Sequence, residues 1–219
     1  MGRIRSTSHR LSRAGLTLVA FLFLPVSADA VPIVTSVSGG SITAIGGGPA
    51  DVGWEFSVNR QLLVTALGFW DPSALTPLRA KHEVGIWDLG GNLLADGTVL
   101  TDSPFTGPFR YVNVSPVVLH AGQTYRIAAF LPAFRLLSDA DLFQLGNITI
   151  GANPAITVVR GVSSFSGQGF VFPTAAFGGN GIFGPDFQAV LLPEPATLTL
   201  LGLGLIAFAA RRRIHGRTR

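Results

Sequence analysis

Residues 52–58 read "VGWEFSV", and this stretch indicates how the central part of the chain folds. Apolar side chains occupy every second position, at Val52, Trp54, Phe56 and Val58. Successive side chains of a β-strand point to opposite faces, so these four share one face. Strict alternation of this kind is typical of a strand with one side against a core. The stretch therefore predicts a strand whose tryptophan and phenylalanine point into a hydrophobic interior.

Similar short runs lie on either side of this strand, and Gly, Pro, Asn or Asp residues separate them. No helical period of useful length appears after Ala30. The further predicted strands are 62–70, 82–88 and 92–100, two or three strands within 109–114 and 117–131, and the runs "NITI", "AITVVRGV" and "FQAVLL". Roughly nine short strands separated by turn residues predict an all-β fold, a single β-sandwich or jelly-roll domain over residues 31–191.

Three connections between these strands, and an entry loop before the first of them, can be predicted. The "LGG" of residues 89–91 indicates a hairpin turn, and Ala121-Gly122 indicates a second turn. Residues 38–50 are rich in glycine and are expected to form a mobile loop. Residues 172–185 are expected to form a long glycine-rich loop before the last strand.

The charges of the chain lie mainly at its two ends. The formal net charge is +4, yet residues 31–192 hold seven basic and ten acidic side chains, a balance of −3. A nucleic-acid-binding protein carries its basic patch on the folded domain, so this distribution argues against nucleic acid as a partner. The chain has no cysteine, which excludes disulfides and thiolate metal sites.

The N-terminal segment, residues 1–30, has the pattern of a secretory signal peptide. A basic stretch ends at Arg13, an apolar run covers residues 14–26, and Ala28 and Ala30 follow in a small-x-small arrangement. Cleavage after Ala30 would make Val31 the first residue of the mature chain, exported by the Sec machinery. The alternative is an N-terminal membrane anchor, which the short apolar run disfavours because a spanning helix needs about 20 residues.

The C-terminal segment, residues 192–219, begins with "LPEPATLTLLGLGLIAFAARRR". Pro193 and Pro195 lack an amide hydrogen and disfavour helix in the residue before each of them, so the chain around Glu194 is expected to be extended. An uncharged and mostly apolar run of fifteen residues follows, and Arg211, Arg212 and Arg213 end it as a stop-transfer cluster on the cytoplasmic side.

That apolar run is short for a transmembrane helix. At about 1.5 Å per residue it would span roughly 22 Å, less than the ~30 Å hydrocarbon core, so it would need a thinned bilayer or a snorkelling arginine. It is predicted to be a transient or permanent anchor in the cytoplasmic membrane. A buried core helix is the alternative, and the all-round apolar surface beside an arginine cluster argues against it.

Residues 192–213 resemble the PEP-CTERM sorting signal of Gram-negative bacteria: a Pro-Glu-Pro triplet, a short apolar helix and a terminal arginine cluster, in that order. The resemblance implies that Pro193, Glu194 and Pro195 are recognised by exosortase, a membrane-embedded transpeptidase-like enzyme. It also implies that the cargo is released or transferred towards the cell surface, often alongside exopolysaccharide.

The cargo domain is similar in its order of motifs to the DUF4082-like domains of secreted bacterial proteins. The motifs are "VGWEFSV", "LLVTALGFWD", "HEVGIWDLGGNLLADGTV", "FRYVNVSPVVLHAGQTYRIAAF" and "IFGPDFQ". The resemblance implies a β-sandwich in an extracellular setting and names no catalytic residue.

Catalytic and metal-binding patterns are weak in this domain. Its two histidines, His82 and His120, are expected to be a strand residue and a strand cap. A Ser-His-Asp triad could be drawn with Asp88 or Asp96, but no Gly-x-Ser-x-Gly stretch accompanies it. The loop after Asp71 has one acid, too few for calcium. We predict no catalytic residue, metal or cofactor.

Trp87 is the candidate ligand-binding residue. It shares a predicted strand face with Glu83 and Gly85, so it is expected to be a partly exposed platform for a sugar ring or else to pack in the interior. The sequence thus predicts a non-enzymatic exported protein with a structural or adhesive role in the exopolysaccharide matrix of a biofilm. The alternatives are a carbohydrate-binding module for exopolysaccharide, a secreted hydrolase and a permanently anchored protein.

Overall fold

Runs of β-branched and aromatic residues form the strands of this protein. The computed structural model describes residues 29–43, 49–71, 78–132, 143–165, 167, 169–176, 182–193, 200–206 and 208. The strands within these residues are β1 (Val31–Pro32), β2 (Val34–Thr43), β3 (Ala50–Val58), β4 (Leu62–Trp70), β5 (His82–Asp88), β6 (Leu93–Val99), β7 (Phe105–Thr106), β8 (Phe109–Leu119), β9 (Thr124–Leu131), β10 (Phe143–Ala152), β11 (Ile156–Ser164), β12 (Ala175–Ala176), β13 (Ile182–Phe183) and β14 (Pro185–Leu191). Residues 200–206 form a short helix, α1.

The strands build two large antiparallel sheets and one small one. The five-stranded sheet has the order β1-β14-β4-β8-β7, and the six-stranded sheet has the order β12-β11-β3-β9-β5-β6. A three-stranded sheet with the order β13-β10-β2 lies beside them. The last strand in the chain, β14, therefore lies inside its sheet, between β1 and β4.

The two large sheets pack face to face around one hydrophobic core, as the prediction of an all-β sandwich requires. All four apolar residues of the "VGWEFSV" stretch are buried in it. The Trp54 ring stacks on Phe187 of the opposite sheet at 6.1 Å between ring centroids. The Trp54 Nε1–H also donates a hydrogen bond to the Pro185 carbonyl oxygen across the interface, at 2.8 Å. This strand therefore joins the sheets through both apolar packing and a buried hydrogen bond.

The prediction of a mobile loop at residues 38–50 is wrong for its first half. Residues 38–43 belong to β2, which pairs with β10, and residues 44–48 lie outside the described residues. Gly39 and Gly40 have positive φ angles of 77° and 64°. The pairing with β10 shifts its register between Leu145 and Ile148, opposite this point. The extra residue of this bulge lies on β10, and the glycines opposite it let β2 continue past the bulge.

A second difference concerns residues 109–119, which were expected to form separate strands. They form the single strand β8. The pairing with β4 shifts its register where Val117 lies opposite Val64 and Asn113 lies opposite Ala66. Pro116 falls within this shift, where the missing amide hydrogen breaks no ladder bond.

One end of the sandwich, which we call the base, collects several turns and both termini of the domain. It consists of turn 59–61, turn 89–92 and turn 120–123, together with the end of β14. Val31 of β1 pairs with Ala189 of β14 in antiparallel register. The chain before Val31 and the chain after Leu191 therefore both leave the domain at the base. The opposite end, the top, includes turn 100–104.

Candidate functional site

The sorting triplet begins immediately beyond the last paired strand. Leu191 pairs with Leu62, and the backbone N–H of Leu192 donates to the Gln61 carbonyl oxygen at 3.0 Å. Pro193 is the next residue and is exposed. The domain therefore holds the chain by hydrogen bonds up to the residue before the triplet, and Pro193, the first residue of the triplet, lies exposed at the base.

Most of the other predicted signal residues lie outside the described part of the chain. These are Ala28, Glu194, Pro195, Arg211, Arg212 and Arg213. Ala30 is described and lies half-buried next to β1. Within the residues described, no helix has the length and apolar character needed to cross a membrane.

Trp87 lies on the outer face of the six-stranded sheet and is buried there, so the alternative that it packs in the interior is confirmed and the partly exposed platform is not. Its side chain shares that face with Glu83 and Gly85 as predicted, yet it is only 4% exposed. Phe170 and Phe172 cover the indole, with ring centroids at 5.0 Å and 6.4 Å. Both phenylalanines belong to residues 169–176, which we call the cover segment. In this structure the indole offers no face to a sugar.

An ion triad around the buried Glu55 carboxylate anchors the cover segment. The Glu55 carboxylate is 3% exposed and accepts hydrogen bonds from the Nε of Arg126 at 2.9 Å and from the Nε of Arg160 at 3.0 Å. Arg126 also donates through Nη1 to the Pro173 carbonyl oxygen at 2.6 Å, and its guanidinium lies 5.0 Å from the Phe172 ring centroid. A cation that stacks on an aromatic ring and is paired at its edges is well stabilised when buried. Arg126 is therefore the link between the sheet and its cover.

Two acidic side chains line a small cavity beside the cover segment. The cavity measures about 110 Å³ and is lined by Glu83, Asp96, Gly97, Thr98 and Phe170. It is smaller than the pockets of about 300–1,000 Å³ that hold small-molecule ligands. Nowhere in the described ranges do three His, Cys, Asp or Glu side chains form a group suited to a metal ion.

Among the acids beneath the cover segment, Asp51 has the most strongly shifted pKa. Burial raises the pKa of this carboxyl to about 7, against the lowering effect of the Val171 N–H, which donates to it at 3.3 Å. The nearby Glu83 charge raises the pKa further. Like the Glu55 triad, Asp51 holds the cover segment by a contact to its backbone.

The two histidines lie at opposite ends of the sandwich. His82 is fully buried, with its ring stacked on Phe69 at 3.9 Å between centroids and its Nδ1 3.0 Å from the Phe130 carbonyl oxygen. His120 is exposed in a base turn, where its backbone N–H donates to the Tyr125 hydroxyl at 3.0 Å. The expected strand and strand-cap positions are thus confirmed, and the fold does not bring the two rings together.

An open groove lies at the base, between the β5–β6 hairpin and the β8–β9 turn. Its volume is about 730 Å³, and its lining combines polar and apolar side chains: Asp88, Leu89, Leu94, Val117, Val118, His120, Gln123, Thr124 and Tyr125, with Gly90 and Gly122. Hydrogen bonds from Asn92 lower the pKa of Asp88, so this wall of the groove carries a negative charge at neutral pH. Sequence reasoning found both turns but not the groove, because nothing in the sequence shows that they lie side by side.

A buried acid in the five-stranded sheet was also missed. Asp186 is fully buried, accepts the Tyr111 hydroxyl at 2.6 Å and accepts the Val34 N–H at 3.1 Å. Gly68 lies between Asp186 and Tyr111 in the pairing register, and its lack of a side chain leaves room for the phenol ring. This contact ties the first long strand to the last.

Two parts of the chain match known protein families. The family described as "Domain of unknown function (DUF4082)" matches residues 37–182, and the "PEP-CTERM protein-sorting motif" matches residues 192–213. A search of curated proteins finds no match. A PEP-CTERM motif implies processing by exosortase, with export and membrane-associated processing before delivery to the cell surface. Since the first match covers more than half of the chain, the protein belongs to the DUF4082 family and ends in a PEP-CTERM sorting motif.

Proposed function

We propose that this protein is a non-enzymatic component of the cell surface or exopolysaccharide matrix of a Gram-negative bacterium. The Sec machinery exports it, cleavage after Ala30 removes the signal peptide, and the C-terminal segment tethers it to the cytoplasmic membrane until exosortase processes it. The β-sandwich then serves a structural or adhesive role. The sorting motif directly behind the last paired strand is the observation that carries this proposal.

The geometry of that junction supports recognition of the triplet in the folded precursor. The chain is hydrogen-bonded up to Leu192, and Pro193 is exposed. The triplet would therefore stand free of the sheet while the domain stays folded. An extended, proline-flanked glutamate at the membrane surface is a shape that a processing enzyme can bind.

Replacement of Pro193, Glu194 and Pro195 by alanine tests the sorting step. We expect the triple variant to accumulate as full-length precursor in the cytoplasmic membrane, whereas the native chain appears at the surface with a lower intact mass. Asp102→Ala, an exposed substitution at the top of the sandwich, is the matched control and should be processed normally. If the triple variant were shortened and released to the same extent as the native chain, the sorting role would be contradicted.

The non-enzymatic assignment is supported by the buried acids, whose carboxylates form ion pairs and hydrogen bonds within the fold. Glu55 pairs with two arginines, Asp71 pairs with Arg110 at 2.7 Å, and Asp186 accepts two hydrogen bonds. The mature domain should show no activity on ester or glycan panels. Reproducible turnover that is lost in His120→Ala would instead favour the hydrolase alternative.

A second candidate function is glycan binding, and the base groove favours it. The groove has a size and a mixture of polar and apolar lining suited to sugar rings. Calorimetric titration of the mature domain with the exopolysaccharide of the bacterium that produces it tests this function. Heat is a better readout than tryptophan fluorescence, since Trp54, Trp70 and Trp87 are at most 7% exposed. Binding that weakens in Gln123→Ala and persists in Asp102→Ala would support the groove, and the absence of heat would remove it.

A further inference from the structure

The pairing of the terminal strands determines which end of the domain can face the membrane. Val31 and Pro32 of β1 pair with Ala189 and Gln188 of β14. Because the pairing is antiparallel, residues before Val31 continue towards the base, as do residues after Leu191. The two apolar segments of the precursor, one before β1 and one after β14, therefore attach to the same end of the sandwich.

The connection on the C-terminal side is short compared with the domain. Leu192 is the last residue hydrogen-bonded to the sheet, and α1 is described from residue 200. The eight Cα–Cα steps from Leu192 to residue 200 span at most about 29 Å even when fully extended. Strand β4 alone has nine residues and is about 30 Å long. If α1 marks the membrane end of the tether, a connection no longer than one strand and attached at the base favours an orientation with the base towards the bilayer and the top away from it.

The side chains of the base suit contact with a membrane interface. Leu89 forms the tip of the β5–β6 hairpin and is 53% exposed, and Leu93 on the adjoining strand is 46% exposed. The remaining turns carry mainly small or polar residues, with Arg60 and Asp88 as oppositely charged side chains. An apolar tip within a surface of low net charge partitions into the headgroup region without a large electrostatic cost.

We propose that the base is a membrane-contacting surface, on which the tethered precursor rests with the Leu89 hairpin in the lipid headgroups of the outer leaflet. This inference rests on the proposed membrane tether. It has a consequence for the base groove, which opens on the same surface: tethering covers the groove, and release of the domain uncovers it.

Site-specific fluorescence in vesicles tests the orientation. The native sequence has no cysteine, so single cysteines can be introduced and labelled without background. Leu89→Cys and Gln123→Cys place an environment-sensitive dye at the base, and Asp102→Cys places it at the top as the matched exposed control. The precursor without its signal peptide, residues 31–219, is reconstituted into phosphatidylethanolamine–phosphatidylglycerol vesicles that contain a lipid spin-labelled in the headgroup. We expect quenching at both base positions to be several times stronger than at Asp102→Cys.

Flotation of the same vesicles distinguishes a failure of the proposed membrane tether from a failure of the inference about the base. If the precursor floats with the vesicles and base and top dyes are quenched equally, the tether stands and the base inference is overturned. If the precursor does not float, the tether fails, and the inference falls with it. Strong quenching at Gln123→Cys alone still supports a base that faces the membrane, and shows that the leucine was needed for the contact at the hairpin tip.

Discussion

At the scale of single residues, Asp186 illustrates how burial changes the chemistry of one side chain. Its two oxygens accept hydrogen bonds from Tyr111 and Val34, which favour the charged form. Burial has the larger effect and raises the pKa of Asp186 to about 7. In the unfolded chain the same carboxyl titrates near 3.9, so folding stabilises its protonated form.

The pH dependence of stability follows from that difference. Between about pH 4 and pH 7 the unfolded chain has released the Asp186 proton and the folded chain has kept it. The free energy of unfolding should therefore fall as the pH rises through this range, by up to about 1.4 kcal/mol per pH unit from this group. Asp186→Asn keeps the shape and removes the titration, so its profile should be flatter. Urea unfolding at a series of pH values measures both.

Two controls show whether the slope belongs to Asp186. Asp51, whose pKa is also raised to about 7, adds its own share, so Asp51→Asn should reduce the slope independently. Asp102→Asn changes an exposed acid and should leave the slope unchanged. The interpretation would be wrong if Asp186→Asn and the native chain had parallel profiles.

At the scale of elements, the cover segment turns an outer sheet face into a second interior. The outer positions of β3, β5 and β9 carry Glu55, Trp87 and Arg126, and all three side chains are buried. Gly85 has no side chain, and an added Cβ would meet the Phe170 ring at 2.7 Å. The missing side chain is what lets Phe170 lie directly over the sheet beside Trp87.

Removal of one covering ring should expose the indole. We expect Phe170→Ala to shift part of the tryptophan emission to longer wavelength and to lower the free energy of unfolding by about 1–3 kcal/mol, because Phe170 is half-buried. Combining it with Trp87→Phe should abolish the shift, since Trp54 lies between the sheets. Phe165→Ala removes a ring that is 63% exposed and should change neither quantity. An unshifted spectrum in Phe170→Ala would show that other groups cover Trp87.

At the scale of the whole molecule, the fold is closed by its last strand. β14 lies between β1 and β4 and supplies Phe187 and Ala189 to the core. The five-stranded sheet is therefore incomplete until residues 185–191 have joined it. The sorting motif begins at the next residue, so processing within the motif leaves every paired strand intact.

Two truncations test this division between fold and signal. A chain of residues 31–193 should unfold cooperatively, because it keeps every strand found among the described residues. A chain of residues 31–184 lacks β14 and should show no cooperative transition, since it exposes the Trp54 pocket and leaves the edges of β1 and β4 unpaired. Phe187→Ala in the longer chain is the milder change, with an expected loss of about 3–5 kcal/mol. A normal transition in the shorter chain, followed by circular dichroism, would contradict this role for β14.

Several features of the protein could be predicted because they depend on neighbours in sequence. The alternation in residues 52–58, the "LGG" hairpin and the sorting motif are local patterns, and the structure and comparisons confirm them. Local patterns were less reliable where glycine allows two outcomes. Gly39 and Gly40 were compatible with either a loop or a bulged strand, and only the partner strand β10 decides between them.

The sequence by itself determined the all-β class, the shared faces of the alternating residues in 52–58 and 82–88, and the presence of the sorting motif. A period of two residues states which side chains share a face, but it does not state what that face contacts. Only the tertiary structure decided that Phe170 and Phe172 cover Trp87, that Asp186 reaches Val34, and that the two ends of the domain meet at the base. Each of these contacts joins residues far apart in the chain, and their pairing depends on strand order and register, which no local pattern encodes.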